Sequence, residues 1–191
     1  MKFEANQVRY DQDDSLYVEP WGGSRGCEWS YKLKGPIKNI FFAYYGGVIN
    51  YIKFPTIDTE RGVTIDSPRF GGNGRRVSKV IFEKAPMEHL TGITGTLGRF
   101  EGHLVVKSLC CFITNVKSYG QYESERGIES RGRPFNLTMK GWAIVGFHGR
   151  AGSYLDAIGV HLHKLTPPTL PMAPDQKSEE EEEGGWEIVE V

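Results

Sequence analysis

Cysteine is scarce in this chain of 191 residues, which has only Cys27, Cys110 and Cys111. An odd and sparse set of this kind does not form a disulfide framework and predicts reduced, buried thiols. No stretch approaches the roughly 18 consecutive apolar residues that a membrane-spanning helix needs. Residues 1–7 also lack the apolar segment of a secretory signal. These absences argue against a disulfide-stapled domain and a helical membrane span, and they predict a cytoplasmic or nucleocytoplasmic protein.

Helical periodicity is also missing. No segment repeats apolar residues at i, i+3, i+4 and i+7 over several turns, so we expect little helix. Short runs of β-branched and aromatic residues occur instead, separated by turns rich in the chain's 24 glycines. Residues 38–44 and 48–54 flank Gly46-Gly47, a pattern typical of a β-hairpin. Similar runs follow at 77–82, 105–112, 142–147 and 158–162, so the sequence predicts an all-β fold.

Charge is distributed unevenly along the chain, although the net charge is only −1. From Asp175 onward eight acidic residues oppose Lys177 alone, which gives this end −7 and leaves +6 for the remainder. A basic body can indicate a nucleic-acid partner. Here the basic residues are scattered, and no helix or aromatic-interleaved stripe gathers them. We therefore expect no nucleic-acid partner.

Composition divides the chain into three parts. Residues 1–19 are polar and read as an N-terminal leader that either adds a strand or stays mobile. The patterned body covers 20–165. Residues 166–191, called the tail below, begin with a Pro-rich linker and continue with Glu179 to Glu183, which predicts a solvated, disordered segment. The final residues, 186–191, alternate apolar and acidic side chains and admit three interpretations: a disordered end, a docking peptide, or the first strand of a further domain.

An aromatic residue followed by glycine recurs at a constant interval. Trp21-Gly22 is followed by Phe70-Gly71 and then by Tyr119-Gly120, and each interval is 49 residues. A repeat of this length predicts three copies of one supersecondary unit. Each copy is too small to bury its own apolar face, so the three are expected to pack around a shared axis.

A second glycine-rich turn ends on a single carboxylate. Gly149 and Gly152 permit positive φ and a close approach of another molecule. The amides of Ser153 and Tyr154 are then available as donors, and the Asp156 carboxylate can accept hydrogen bonds from a neutral polyol. Taken alone, this pattern is also typical of an ordinary hairpin turn.

Four motifs together favour a binding loop over an ordinary turn. They are residues 20–23 (Pro-Trp-Gly-Gly), 89–95 (His-Leu-Thr-Gly-Ile-Thr-Gly), 108–115, and 146–162, which start Gly-Phe-His-Gly-Arg. With these motifs in this order, residues 20–165 resemble the jacalin-related lectins. It implies a β-prism of three four-stranded antiparallel Greek-key sheets with pseudo-threefold symmetry. It also implies a non-enzymatic, mannose-binding protein that needs no metal or other cofactor, assembles as a homodimer or tetramer, and serves plant defence or stress responses.

The same resemblance implies a site for mannose/glucose-type glycans between two glycine loops. Asp156 would accept from the hydroxyls on carbons 4 and 6, while loop amides would donate to the sugar. Galactose binders of the family depend on a proteolytic cut before the first glycine loop, and this chain runs uncut through that point. Ser153 departs from the Asp often found there. The predicted carbohydrate-binding residues are Gly22, Gly23, Gly152, Ser153, Tyr154, Leu155 and Asp156.

The repeat predicts a second, weaker site with a neutral residue in place of the acid. Its residues are Gly46, Gly47, Val48, Ile49 and Asn50, facing Gly71 and Gly72. A neutral amide oxygen accepts weaker hydrogen bonds than a charged carboxylate does. Residues 103–107 are predicted to form the third copy, which has neither the glycine nor the acid and is expected to be inactive.

Three rival functions remain open from the sequence. A glycosidase needs two carboxylates across the sugar bond, and only Asp156 lies in the glycine turn, since Glu123 and Glu125 belong to another loop. His161 and His163 share a strand face, but two ligands are too few for a metal site. The stronger rival is a protein-interaction or adaptor module with a vestigial sugar site that acts through its acidic tail.

Overall fold

The computed structural model describes residues 8–10, 15–120 and 132–165, with the backbone alone at 8–10. All fifteen elements in these residues are β-strands. The first sheet has the order β1 (Val8–Tyr10), β2 (Leu16–Gly22), β15 (Leu155–Lys164), β14 (Trp142–Ala151) and β3 (Cys27–Lys32). The all-β class expected from the absence of helical periodicity is confirmed.

Two further sheets complete the prism. The second has the order β8 (Phe70–Gly71), β5 (Val48–Lys53), β4 (Asn39–Tyr45) and β9 (Arg76–Ile81). The third has the order β12 (Ser118–Gly120), β11 (His103–Thr114), β10 (Leu90–Phe100) and β13 (Arg133–Thr138). A short hairpin of β6 (Thr56–Asp58) and β7 (Val63–Ile65) lies apart. Every pairing is antiparallel, so the predicted β-prism of three four-stranded sheets is confirmed, with β1 added to the edge of the first.

The three aromatic-glycine pairs occupy equivalent positions in the three sheets. Gly22 pairs with Ala157, Gly71 with Tyr51 and Gly120 with Cys111, each beside the inner strand of its own hairpin. The 49-residue repeat therefore marks a structural triplication, as predicted.

The core lies where the inner faces of the three sheets meet. Phe42 of the second sheet packs on Phe112 of the third at 5.9 Å between ring centroids, and Phe54 stacks on Phe147 of the first at 4.0 Å. All four rings are almost completely buried. Burying such a side chain contributes about 1.5–3 kcal/mol, so the shared axis stabilises units that could not fold singly.

The N-terminal residues add strands to the first sheet, which is one of the two possibilities that the sequence left open for residues 1–19. Strand β2 begins at Leu16, and Leu16 and Val18 are buried in the core. This strand was not recognised from the sequence because its apolar residues alternate over only a few positions and have polar neighbours. The predicted tail lies outside the described residues.

The thiols are free, as predicted, but their burial was overestimated. Cys27 is exposed, and Cys110 and Cys111 are half-buried. In the part of the chain that the structure describes, a helix with the length and hydrophobicity of a membrane span does not occur.

The third hairpin is longer than the other two. Its strands β10 and β11 have 11 and 12 residues, against 7 and 6 for β4 and β5. The residue equivalent to Asp156 and Asn50 is consequently Cys110, which precedes the partner of Gly120. The prediction that residues 103–107 form the third copy of the loop was wrong, because the extra hairpin length carries them to the tip instead.

Candidate functional site

A cavity of about 250 Å³ opens at the end of the prism where the β14–β15 turn lies. It draws on three separate parts of the chain: the turn after β2, the tip of the β10–β11 hairpin, and the β14–β15 turn itself. The lining residues are Arg25, Gly26, Phe100, Glu101, His103, Val105, Gly152, Ser153, Tyr154 and Asp156. Of the predicted carbohydrate-binding residues, the fold places Gly152, Ser153, Tyr154 and Asp156 in this lining.

Asp156 supplies the carboxylate of this cavity, although only 5% of the residue is exposed. Burial raises the pKa of this carboxyl, and the nearby cations Arg150 and Arg25 act in the opposite direction. The amide of Gly152 and the charge of His103 also favour the ionised form. A half-desolvated carboxylate in this position is a strong acceptor for neutral hydroxyl donors.

The β14–β15 turn also provides unused backbone donors. The amide of Gly152 donates to the carbonyl of Tyr154 at 3.0 Å, which closes the turn. Within the described residues, the amides of Ser153 and Tyr154 donate to no protein acceptor. The Leu155 side chain is fully buried and anchors the turn to the core, so it lies behind the site. Two backbone donors and the Asp156 carboxylate therefore lie together at this turn.

Gly26, rather than Gly22 or Gly23, lies beside the carboxylate. A Cβ on Gly26 would lie 2.6 Å from Asp156 Oδ2, and its φ of +67° also favours glycine. The Gly23 amide donates to the backbone carbonyl of Asp156 at 2.9 Å, and a Cβ on Gly22 would meet that same oxygen at 2.2 Å. Gly22 and Gly23 hold β2 against β15, so the expected sugar contact by their amides needs correction. The Gly23 amide is thereby already used within the protein.

Arg150 fixes the position of this first loop. Its Nε donates to the carbonyl of Arg25 at 3.1 Å and its Nη2 to the carbonyl of Gly26 at 2.9 Å. Its Nη1 forms an ion pair with Glu28 at 2.6 Å. The guanidinium thus braces the loop from behind, and it also lowers the cost of ionising Asp156.

The tip of the third hairpin forms the remaining wall. The Phe100 ring meets the Tyr154 ring edge-on at 5.0 Å, and the Tyr154 hydroxyl donates to Glu101 Oε1 at 3.3 Å. The sequence analysis missed Arg25, Gly26, Phe100, Glu101, His103 and Val105. The Glu101-Gly102 turn was visible in the sequence, but its approach to Asp156 depends on the hairpin length and the packing of two sheets.

The second predicted site shows the same framework with altered chemistry. The Gly72 amide donates to the carbonyl of Asn50 at 3.0 Å, as Gly23 does to Asp156. Asn50 is buried, and its Oδ1 has no partner among the described residues. Three residues after Gly72, where the first site has Gly26, stands Arg75, whose guanidinium lies 4.8 Å from the Tyr45 ring centre. Gly46 and Gly47 form the turn with positive φ, while Val48 and Ile49 are buried.

Two histidines come together on the outer face of the first sheet. The rings of His148 and His161 lie 4.8 Å apart, and Tyr17 stacks on His148 at 4.0 Å. Burial, with the charge of His161, lowers the pKa of His148 to about 4, so its ring is neutral at pH 7. His163 is exposed. The described residues contain no group of three or more side chains placed to hold a metal ion, and Glu123 and Glu125 lie outside them.

Comparison with known proteins agrees with this geometry. A family profile described as the jacalin-like lectin domain matches residues 18–161. The mannose/glucose-specific lectin of Parkia platycephala is 36% identical over 164 residues, which cover 83% of this chain and 34% of that protein. Jacalin-related lectin 19 of Arabidopsis thaliana is 33% identical over 160 residues, covering 83% of this chain and 86% of that protein. The chain thus spans about a third of the Parkia lectin's length.

Solved structures match the same region. The Calsepa lectin, crystallised with a biantennary N-glycan, superposes with a TM-score of 0.66 at 31% identity and covers 78% of this chain and 95% of its own. A mannose-binding jacalin-related lectin of Ananas comosus gives a TM-score of 0.64 at 29% identity, covering 78% of this chain and 98% of its own.

Proposed function

Because the chain belongs to the jacalin-like lectin family, whose members bind sugars without enzymatic activity, we propose that it binds mannose- and glucose-type glycans in the cavity beside Asp156. The observation that carries this proposal is the convergence of one buried carboxylate with the unused amides of Ser153 and Tyr154. A hexose with adjacent hydroxyls offers the matching donors and acceptors.

In the proposed complex the Asp156 carboxylate accepts from two hydroxyls on carbons 4 and 6. The amides of Ser153 and Tyr154 donate to the ring oxygen and the carbon-6 oxygen. The backbone of Gly26 takes the place first expected for Gly22 and Gly23. Hydrogen bonds to a charged group contribute about 1.5–3 kcal/mol each, so Asp156 should provide most of the affinity. No metal ion is part of the proposal.

The experiment is calorimetry with methyl α-mannoside and methyl α-galactoside on the wild type, Asp156→Ala and Asp66→Asn. Asp66 is an exposed carboxylate that pairs with Lys53 and serves as the matched control. We expect mannoside binding to be lost in Asp156→Ala, kept in Asp66→Asn, and unchanged by a chelator. Equal binding of galactoside, loss of binding with chelator, or full binding by Asp156→Ala would overturn the proposal.

We further propose a homodimer or tetramer as the working form. A shallow monosaccharide site binds near millimolar Kd, about −4 kcal/mol, and useful avidity needs several sites held together. Light scattering on the full chain would test the assembly, and a monomer at all concentrations would contradict it.

The free thiols fit a reducing compartment such as the cytoplasm.

A further inference from the structure

A second cavity lies at the end of the prism opposite the proposed sugar site. Its volume is about 290 Å³, and it is lined mainly by apolar side chains, with Glu88 and His89 also in the lining. The apolar ones include Leu33 and Ile37, Phe82 and Pro86, and Ile144 and Val145. The turns and strand ends that close this end of the prism are called the base below. The Leu33 amide donates to the carbonyl of Val145 at 2.9 Å, near the start of β14, while the sugar site lies at that strand's far end. The two cavities are therefore separate.

The surface around this cavity carries mainly positive charge. Six exposed lysines stand in or beside the turns at the base: Lys34, Lys38, Lys84, Lys117, Lys140 and Lys164. The two acids in the same turns are already engaged. Glu83 pairs with Lys117 at 2.8 Å, and the buried Glu88 accepts from Thr114 at 2.7 Å and from Tyr119 at 2.9 Å. An occupant of the base would therefore need negative charge.

The base also exposes apolar side chains beyond the cavity itself. Met87 is 82% exposed, the highest value for a large hydrophobic residue among those described. Val116 and Leu165, also exposed, stand in neighbouring turns at this end. Apolar groups that are surrounded by lysines favour a partner that joins an aromatic or aliphatic anchor to carboxylates.

The chain itself contains a segment of this composition. The tail has five consecutive glutamates at 179–183, followed by Trp186 and Ile188 between further glutamates. It leaves the described domain at Leu165, whose amide donates to the carbonyl of Gly141 at 2.8 Å, within the base. A random coil of twenty residues, the number between Leu165 and Trp186, would span about 25 Å, and a Pro-rich segment would span more, so this linker is long enough for Trp186 to reach the cavity.

We propose that residues 175–191 dock across the base of the same molecule. Trp186 occupies the apolar cavity, Ile188 covers the adjoining apolar surface, and the glutamates lie against the lysines. This inference goes beyond sugar binding and does not depend on it, because the two ends of the prism are distinct. A flexible tether gives an effective concentration of about a millimolar, so a contact of modest intrinsic affinity is populated.

The first experiment compares backbone amide spectra of the full chain with two double variants. Trp186→Ala with Ile188→Ala removes the apolar anchors, whereas Thr169→Ala with Met172→Ala changes the tail before its acidic part and is the matched control. We expect the first to shift the amide signals of Ile37, Leu90 and Ile144, and the control to leave them in place. No shift at the base, or the same shift in both variants, would overturn the proposal.

Charge-reversal substitutions at the base give a second, independent test of the proposed docking. Lys34→Glu with Lys84→Glu should produce the same loss of tail contact, and adding Glu179→Lys, Glu181→Lys and Glu183→Lys should restore it. A purely structural defect at the base would not respond to changes in the tail. Failure of the tail lysines to restore the base signals would contradict the electrostatic part of the proposal.

A mixing experiment distinguishes docking of the tail on its own domain from docking on a second copy of the chain. The isotope-labelled Trp186→Ala, Ile188→Ala chain is titrated with unlabelled wild type at about 0.1 mM, well below the effective concentration of the tether. We expect the labelled base signals to stay in their shifted positions. Their return to wild-type positions would assign the contact to a neighbouring copy and overturn the intramolecular form.

Discussion

The first sheet and its pseudo-symmetric counterpart, the second, carry the same loop framework with different chemistry. In both, a glycine amide donates to the backbone carbonyl of the residue that ends the facing turn, at 2.9 Å for Asp156 and 3.0 Å for Asn50. The first framework presents a carboxylate with Gly26 beside it, and the second presents a neutral amide with Gly74 beside it and Arg75 at the chain position that corresponds to Gly26. The triplicated backbone is therefore a shared scaffold, and two side-chain positions distinguish the proposed sugar site from its counterpart.

The largest effect should come from giving the first loop a side chain at the glycine that lies beside the carboxylate. Gly26→Ala would bring a Cβ to 2.6 Å from Asp156 Oδ2 and 2.4 Å from the backbone of Ala151. We expect about a 100-fold loss of mannoside affinity, equivalent to about 2.7 kcal/mol, by calorimetry.

Gly62→Ala is the control for this substitution. Gly62 has the same φ of +67° with no atom near its missing Cβ, so it carries the backbone strain without the clash. If both variants lose affinity equally, the closeness of Gly26 to the carboxylate is not the cause, and the contrast between the two loops fails.

The converse substitutions should give the second loop a mannoside-binding site like the one proposed for the first. Asn50→Asp combined with Arg75→Gly supplies a carboxylate and a glycine at the chain position that corresponds to Gly26. We expect the number of mannosides bound per chain to rise from one to two, with the new site about tenfold weaker, because Glu101 and His103 of the third hairpin complete the cavity beside Asp156. Titration at high protein concentration would count the sites. A stoichiometry that stays at one would show that the scaffold needs more than these two positions.

Acidification should affect the two loops differently. Burial raises the pKa of Asp156, so this carboxyl takes up a proton at a higher pH than an ordinary aspartate, whose pKa is about 3.9. Protonation removes the charge that accepts from the sugar. Mannoside affinity should therefore fall as the pH drops toward that raised pKa, and an amide such as Asn50 in this position would remove the dependence.

Affinity measured between pH 7 and pH 4 on the wild type and Asp156→Asn tests this prediction. The Asp156→Asn variant should bind mannoside weakly at pH 7 and at pH 4, and its affinity should not change between these values. A wild-type affinity that stays constant over this range would contradict the role given to the ionised carboxylate.

The smallest effect should come from the third hairpin. Glu101→Gln keeps an acceptor for the Tyr154 hydroxyl but removes its charge, and this contact is exposed and 3.3 Å long. We expect mannoside affinity to change by less than about threefold, since exposed contacts contribute little. A glycan array should instead register altered preference among larger glycans, which extend past the hairpin tip. An unchanged array would limit the third hairpin to a structural role.

Much of this molecule could be predicted from its sequence because the signals are local. Alternating strands, glycine turns and the 49-residue repeat depend on neighbouring residues and on one period, so the all-β class, the threefold repetition and the Gly152-to-Asp156 turn followed directly, whereas the β-prism followed from the family resemblance. Leu16 and Val18 escaped detection because a strand with so few apolar residues becomes evident only when its partner β15 is in place.

By itself the sequence determined the strand pattern, the triplication, and the single turn in which exposed amides precede a carboxylate. Only the tertiary structure decided which glycine faces Asp156, since the Gly23 amide is used in pairing β2 with β15 and the chain continues to Gly26 before it meets the carboxylate. It also decided that a hairpin from another sheet closes the cavity, and that an apolar cavity with a basic rim lies at the far end. The physical reason is that the length of a hairpin and the register between strands place residues far apart in sequence within a few ångströms of one another, and no local pattern encodes that distance.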